Sequence, residues 1–374
     1  MPLVIGIPAE TVDGERRLAA VPEVVKKYLG LGAEVIMEAG AGKPAHYADE
    51  AFADVRIVET GNDVFAESDV VLCVQPPPSK YLNKMKPGSV LLGMLQPWYD
   101  AKRVEQLVKK NVTAFALELL PRISRAQSMD VLSSQAAVAG YECALIAADH
   151  SPKFFPMLTY AAGTIRPAKV LVIGAGVAGL QAIATARRIG AMVEAYDVRP
   201  EVREQIESLG AKFVDTGVSA VGAGGYAREL TDEERAKQAE RLGKAVAQCD
   251  ALITTASIPG KKAPKIITGE MLARMKPGSV VVDMAAETGG NVEGTVAGEK
   301  TWIGETLVIG PTHIASRMPV HASEMYAKNL FNFISPFIKE GALALDWEDE
   351  VMSGTCLTHE GEVKHAGVKE VLGL

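Results

Sequence analysis

Lys169-Val-Leu-Val-Ile-Gly-Ala-Gly-Val-Ala-Gly179, with Asp197 downstream, decides the fold of this chain. The apolar run at 170–173 reads as a buried parallel strand, and Gly174, Gly176 and Gly179 follow it in the order G-x-G-x-x-G. A helical pattern then runs to Arg188, and a second strand from Met192 to Tyr196 ends at Asp197. Each glycine has its own task in such a unit. Gly174 permits the tight turn, Gly176 lets the backbone approach a pyrophosphate, and Gly179 lets the helix lie close to the strand. The helix start, at Val177 and Ala178, turns unpaired N–H groups and a positive dipole end toward the phosphates. Asp197 stands 18 residues past the last glycine, where a carboxylate holds a ribose 2′-hydroxyl. It would repel a 2′-phosphate, so the pattern favours NAD(H) over NADP(H). Val198 and Arg199 follow directly and join Asp197 as candidate contacts. Glycine turns without a ligand also occur, but here strand, helix and acid stand in the order a dinucleotide requires.

The 374 residues suffice for two domains, and a hydrophobic content of 48% supports a sizeable core. A net charge of −7 argues against nucleic acid and anionic lipid as partners. No apolar run approaches the roughly 18 residues of a membrane-spanning helix, and none is expected. The start, Met-Pro-Leu-Val-Ile-Gly-Ile-Pro, lacks the basic region and cleavage site of a signal peptide. Cys73, Cys143, Cys249 and Cys356 lie far apart and are expected to be buried free thiols in a reducing compartment. The six histidines form no H-x-x-x-H pair, and no metal site is expected.

Strand-like runs alternate with helical patterns from end to end, which predicts an α/β chain. Early strands are expected at 3–7, 34–38, 69–74, 89–94 and 113–119, with helices such as 22–31 and 101–110 between them. The central block offers strands at 169–173, 192–197, 212–214, 251–255, 279–284 and 306–309, enough for a complete dinucleotide-binding sheet. An internal echo runs through both blocks: Met85-Lys-Pro-Gly-Ser-Val90 recurs as Met275-Lys-Pro-Gly-Ser-Val280, each copy after an Asp-led apolar strand. Two related doubly wound domains would explain it, as would a common turn used twice. A long helix is expected at 133–150 and another at 322–333, followed by a polar tail around 346–350 that returns to the first domain. The expected architecture is therefore two Rossmann-like doubly wound parallel-sheet domains with a cleft between them. Their boundaries are 1–132 plus 311–374 for the first and 133–310 for the second.

Four segments concentrate polar chemistry. The loop from Glu118 to Gln135 crowds Arg122, Arg125, Gln127, Asp130, Ser133 and Ser134 between a strand and the long helix. Such loops line sites, although Asp130 or Ser133 could equally be a helix cap. Glycines around Tyr226, from Ser219 to Leu230, suggest a mobile flap that includes Gly224. The segment from Val281 to Asn291 places Glu287 past the carboxyl end of a strand, and Ala256 follows the strand at 251–255, both positions where ligand contacts are expected. Near the N-terminus, Arg17 could clamp an anion or be a surface charge.

The opening Ile-Pro-Ala-Glu10, with Glu15-Arg-Arg-Leu-Ala-Ala-Val-Pro22, resembles the alanine dehydrogenase and pyridine nucleotide transhydrogenase superfamily, and the resemblance covers nearly the whole chain. The loop 122–135, Ala162-Gly-Thr-Ile-Arg-Pro-Ala-Lys-Val170, the flap and Glu287-Thr-Gly-Gly-Asn291 are similar to the transhydrogenase branch. The dehydrogenase branch carries an Arg, a Lys, a His and an Asp for its keto acid. Here the matching positions read Arg17, Gln75, Gln96 and Glu287. A glutamine is neither a cation nor a proton donor–acceptor of useful pKa, so an alanine dehydrogenase-like activity is the second reading.

The transhydrogenase resemblance implies direct hydride transfer between NADH held here and NADP(H) bound by a partner subunit. It implies coupling to proton translocation through other chains. Gln127 would contact the nicotinamide and ribose, held by Arg122 and Asp130. Ser134 and Gln135, next to Ser133 at the helix start, would meet the carboxamide, and Tyr226 would close over the nucleotide. It further implies a homodimer, an NADP(H)-binding subunit with a membrane domain, a small membrane subunit, and a cytoplasmic position peripheral to the inner face of the membrane.

Overall fold

A computed structural model describes residues 2–220, 228, 230–258 and 260–373. The chain divides into two units, one of residues 1–135 with 316–374 and the other of 136–315, against expected divisions after 132 and 310. The side chain of Gln135 explains part of the offset. It accepts from Arg17 Nη1 at 2.9 Å and donates to Ala322 O at 3.1 Å, which ties the helix start to the first unit.

The first unit is built on an eight-stranded sheet. Its six parallel strands lie in the order Arg56–Val58, Glu34–Glu38, Val4–Ile7, Val70–Leu72, Val90–Gly93, Thr113–Ala116. The antiparallel strands Cys356–His359 and Glu362–Val363, from the tail, extend it beyond the last of these. The second unit repeats the scheme with Lys212–Phe213, Met192–Tyr196, Lys169–Ile173, Ala251–Thr254, Val280–Asp283 and Thr306–Ile309, and the antiparallel strand Lys300–Ile303 closes its edge. Both units thus show the 3-2-1-4-5-6 order of doubly wound sheets, with apolar clusters on both faces of each. Central strands such as Val280–Asp283 are buried at every position, as parallel strands covered on both sides must be.

The echo at 85–90 and 275–280 occupies equivalent places in the two sheets. Gly88 and Gly278 take φ of 80° and 77°, the left-handed conformation such a turn needs. Lys86 binds Asp69 at 3.0 Å and Lys276 binds Asp250 at 2.8 Å. Each aspartate also accepts the N–H of the first strand, Val4 at 3.0 Å and Lys169 at 2.9 Å.

Differences from the sequence reading follow from local bonding. The strand expected at 113–119 stops at Ala116, because a turn, Leu117–Leu119, carries Glu118 beneath Leu95 and Gln96 N–H. The strands Arg56–Val58, Lys300–Ile303 and Cys356–His359 fall outside the sequence expectation, as does the hairpin of Leu158–Tyr160 with Gly163–Ile165. They are short or lie at or near an edge, where the buried signature fades. The long helix, Val131–His150, begins two residues early because Asp130 caps it. It is also long and apolar enough to cross a membrane by length and composition, contrary to the sequence expectation. Half of its 18-residue apolar window is buried inside the protein, as in a core helix.

Gly140, on that helix, meets the start of the helix Val177–Arg188 so closely that an added Cβ would lie 2.0 Å from Ala178 O. Gly140→Ala is therefore expected to lower the unfolding stability of the second unit by about 1–3 kcal/mol in urea titration. An unchanged midpoint would show that the two helices can separate freely.

Candidate functional site

The glycine loop has the geometry its spacing requires. Gly174 turns with φ of 90°. A Cβ on Gly179 would sit 1.8 Å from Gly174 O, so only glycine allows this helix–strand approach. Gly176 is different, since a Cβ there would meet nothing within 4 Å. It is also the N-cap of Val177–Arg188, and among the described residues no side chain caps that helix. Orphan N–H groups beside open space are the donor set that a pyrophosphate fits. Thr255 Oγ1 donates to Gly174 O at 3.0 Å and brings Ala256 against the loop.

Asp197 is 7% exposed at the end of the neighbouring strand. Its Oδ2 accepts Ala175 N–H at 2.7 Å, while Oδ1 accepts Arg199 N–H at 2.9 Å. The Arg199 guanidinium forks onto both oxygens, at 2.9 Å from Nε and 2.7 Å from Nη2. Val198 O accepts Ala220 N–H at 2.9 Å. Gly224 and Tyr226, the flap candidates, lie outside the described residues.

The sequence reading marks the segment 281–291 but picks only Glu287 from it, whereas Asp283 and Asn291 build the rest of this rim. Fully buried Asp283 accepts Thr254 Oγ1 (3.0 Å), Ala285 N–H (3.2 Å), Asn291 N–H (3.1 Å), Val292 N–H (3.0 Å) and Thr295 Oγ1 (2.8 Å). Asn291 in turn accepts Ala256 N–H at 3.1 Å and donates to Ala256 O at 2.8 Å. An aspartate ending an all-apolar strand was the available signal. Glu287 sits in the turn Ala286–Thr288, where its carboxylate accepts His313 N–H at 3.3 Å.

In the first unit, Arg122 and Gln127 are exposed on a short loop that contains the turn Ser124–Met129. Ala126 and Met129 anchor the turn in the core. Arg125 grips Asp349 at 2.7 and 2.8 Å. The side-chain amides of Asn329 and Asn332 both donate to Ser128 O, at 2.8 and 3.0 Å. Asp130 accepts Ser133 N–H at 2.9 Å and Ser133 Oγ at 2.5 Å, and so caps the long helix. Ser134 Oγ accepts Gln135 Nε2 at 3.1 Å. With its second hydrogen on Ala322 O, the Gln135 amide has spent both donors inside the protein.

A chain of polar groups leads from exposed Gln96 through half-buried Gln75 to buried Glu15, Arg17 and Gln135. Gln96 Nε2 donates to Gln75 Oε1 at 3.3 Å, and Gln75 Nε2 donates to Glu15 Oε2 at 2.9 Å. Glu15 receives the Arg17 guanidinium at 2.6 and 2.8 Å, and Ser316 Oγ also donates to it. Arg17 is thus an internal ion-pair partner rather than a surface charge. The Gln75 and Gln96 loops are held by Glu10 and Glu118, which accept the N–H groups of Val74 and Gln75 and of Leu95 and Gln96. Burial pushes the Glu10 carboxyl up to about 8, with its two N–H bonds pulling the other way.

Burial alone would raise Glu15, but Arg17, Ser316 and Gln75 outweigh it and bring the carboxyl from the ordinary 4.5 to about 2. A lowered folded-state value means that this carboxylate stabilises the fold above about pH 4.5 and that its contribution fades as pH falls toward 2. Glu15→Gln is expected to cost on the order of 3 kcal/mol at pH 7, with the gap to wild type closing in acid unfolding curves below pH 4.5. A variant as stable as wild type at pH 7 would rule this out.

Comparison with known proteins agrees with this construction. The family described as Alanine dehydrogenase/PNT, N-terminal domain, matches residues 6–139, and its C-terminal domain matches 143–366. An NAD(P) transhydrogenase subunit alpha chain of Rhodospirillum rubrum is 46% identical, over 96% of this chain and 97% of its own. The crystal structure of transhydrogenase from Sinorhizobium meliloti superposes with a TM-score of 0.88 at 44% identity, over 96% of this chain and 99% of that one. The alanine dehydrogenase of Mycobacterium tuberculosis is 28% identical, over 99% of this chain and 97% of its own. The chain therefore belongs to the alanine dehydrogenase/PNT family, within its branch of NAD(P) transhydrogenase alpha subunits.

Proposed function

We propose that this chain is the NAD(H)-holding subunit of a proton-translocating NAD(P) transhydrogenase. In this reading NADH gives its nicotinamide C4 hydride directly to C4 of NADP+ on a partner subunit, while other chains move the proton across the membrane. The observation that carries it is the pair Gln75 and Gln96, which stand as a hydrogen-bonded amide chain where a dehydrogenase keeps Lys and His. Hydride transfer between two nicotinamides releases no proton, so the protein must orient and exclude water rather than donate or accept.

The residues divide that work. Gly174, Gly176, Val177, Ala178 and Gly179 hold the pyrophosphate, with Asp197, Val198 and Arg199 on the ribose side and Ala256 and Glu287 on the rim. Gln127 meets the nicotinamide and ribose from its clamped turn, supported by Arg122 and Asp130. Ser133 and Ser134 present the helix start toward the carboxamide. Gln135, pinned by Arg17, fixes that start in place. NADP(H) is bound by a partner subunit with a membrane domain, and a small membrane subunit completes the complex. These partners keep the chain on the cytoplasmic side of the membrane.

Mixed with NADH, an NADP+ analogue and the NADP-binding partner, the protein is expected to support transfer that neither chain supports alone. Gln127→Asn should slow it by about tenfold or more with NADH binding nearly intact. Rapid reduction of NAD+ by L-alanine with the isolated chain would overturn the proposal in favour of a dehydrogenase.

A homodimer is the second element of the proposal, and the hairpin Leu158–Tyr160 with Gly163–Ile165 supports it. All six strand residues are exposed. Phe154, Met157, Leu158, Tyr160 and Ile165 expose apolar surface there. An isolated two-stranded hairpin is marginal in water unless something covers it. Leu158→Asp with Tyr160→Asp is expected to give a monomer in size exclusion with light scattering. A dimer that survives both changes would place the interface elsewhere.

A further inference from the structure

Asp197 has no acceptor capacity left. A carboxylate offers about four lone-pair positions, and all are filled: Ala175 N–H and Arg199 Nη2 on Oδ2, and Arg199 N–H and Arg199 Nε on Oδ1. Two of these donors are backbone and cannot leave without unfolding the turn. The other two belong to one guanidinium whose side chain is 18% exposed, against 6% for the carboxylate. A ribose hydroxyl can reach Asp197 only by taking a place that Arg199 now holds.

We propose that Arg199 is the nucleotide selector of this site, resting on the NAD(H) reading above. It occupies the ribose-binding carboxylate before the nucleotide arrives and is displaced by the ribose hydroxyls. Asp197 in turn keeps the guanidinium neutralised beside the 2′-position. The discrimination against a 2′-phosphate therefore depends on Asp197 holding Arg199, and the chain already contains the cation that a 2′-phosphate would need. Removing the carboxylate converts the same site into one for 2′-phosphorylated nucleotides.

Calorimetric titration of wild type, Asp197→Ser, Asp197→Asn and the double variant Asp197→Ser/Arg199→Ala with NADH and with NADPH tests this. Asn keeps the size and an acceptor for Ala175 N–H, so it carries the test should the serine protein fail to fold. Wild type is expected to prefer NADH. Either single variant should bind NADPH about tenfold tighter than wild type does and NADH more weakly, and Arg199→Ala should abolish the gain. Folded single variants with no gain for NADPH, or a gain that survives Arg199→Ala, would overturn the selector. A wild type that binds neither nucleotide would overturn the NAD(H) reading itself.

Discussion

The second unit depends on backbone meeting backbone without a side chain between. Gly179 lies against Gly174 O, and Gly140 lies against Ala178 O, at separations no Cβ tolerates. These contacts fix the first turn of the helix Val177–Arg188 relative to the strand before it and to the long helix. The orphan N–H groups of that turn consequently point at the space around Gly176, the one glycine of the three whose Cβ position is open. Asp283 does comparable work across the sheet, since five donors from four segments converge on one buried carboxylate and hold the loops after two strands.

The first unit has the same strand order and no glycine loop. After its first strand come Pro8, Ala9 and Glu10. The backbone N–H groups at two of its strand ends are taken by Glu10 for one pair and Glu118 for another. In the second unit Asp197 takes Ala175 N–H, Asn291 takes Ala256 N–H and Asp283 takes Ala285 N–H. The shared device at Asp69–Lys86 and Asp250–Lys276 shows how alike the frames are. The two units differ where function would differ: one has a glycine-opened helix start at Gly176, while the other offers Gln127 from a turn clamped by Asp349, Asn329 and Asn332.

Much of this was legible because it follows periodicity. The strand at 169–173, the glycine spacing and the paired Lys-Pro-Gly-Ser turns need no long-range information, and the turns proved to sit at equivalent sheet positions. What escaped were features defined by distant partners. Cys356–His359 joins Thr113–Ala116 across more than two hundred residues, and nothing local marks it as a strand of that sheet. Asp283 and Asn291 looked like members of a polar loop, and only their convergent bonds reveal a hub. Arg17 was ambiguous for the same reason, as a charge without its partner can be read as surface or site.

Arg17 and Arg199 also show why burial decides role. Each is two residues past its acid, donates its own N–H to it, and forks Nε and Nη2 across both oxygens: Glu15 at 2.9, 2.8 and 2.6 Å, Asp197 at 2.9, 2.9 and 2.7 Å. The bonding is nearly identical, but the surroundings are not. Glu15 has no exposed side-chain surface and is further bound by Ser316 and Gln75, so separating that pair would strand a charge in the core. Among the described residues Asp197 adds a backbone N–H, and its arginine reaches the surface. The same fork is thus a fixed strut in one unit and an exchangeable partner in the other, and a ligand hydroxyl can compete only with the second.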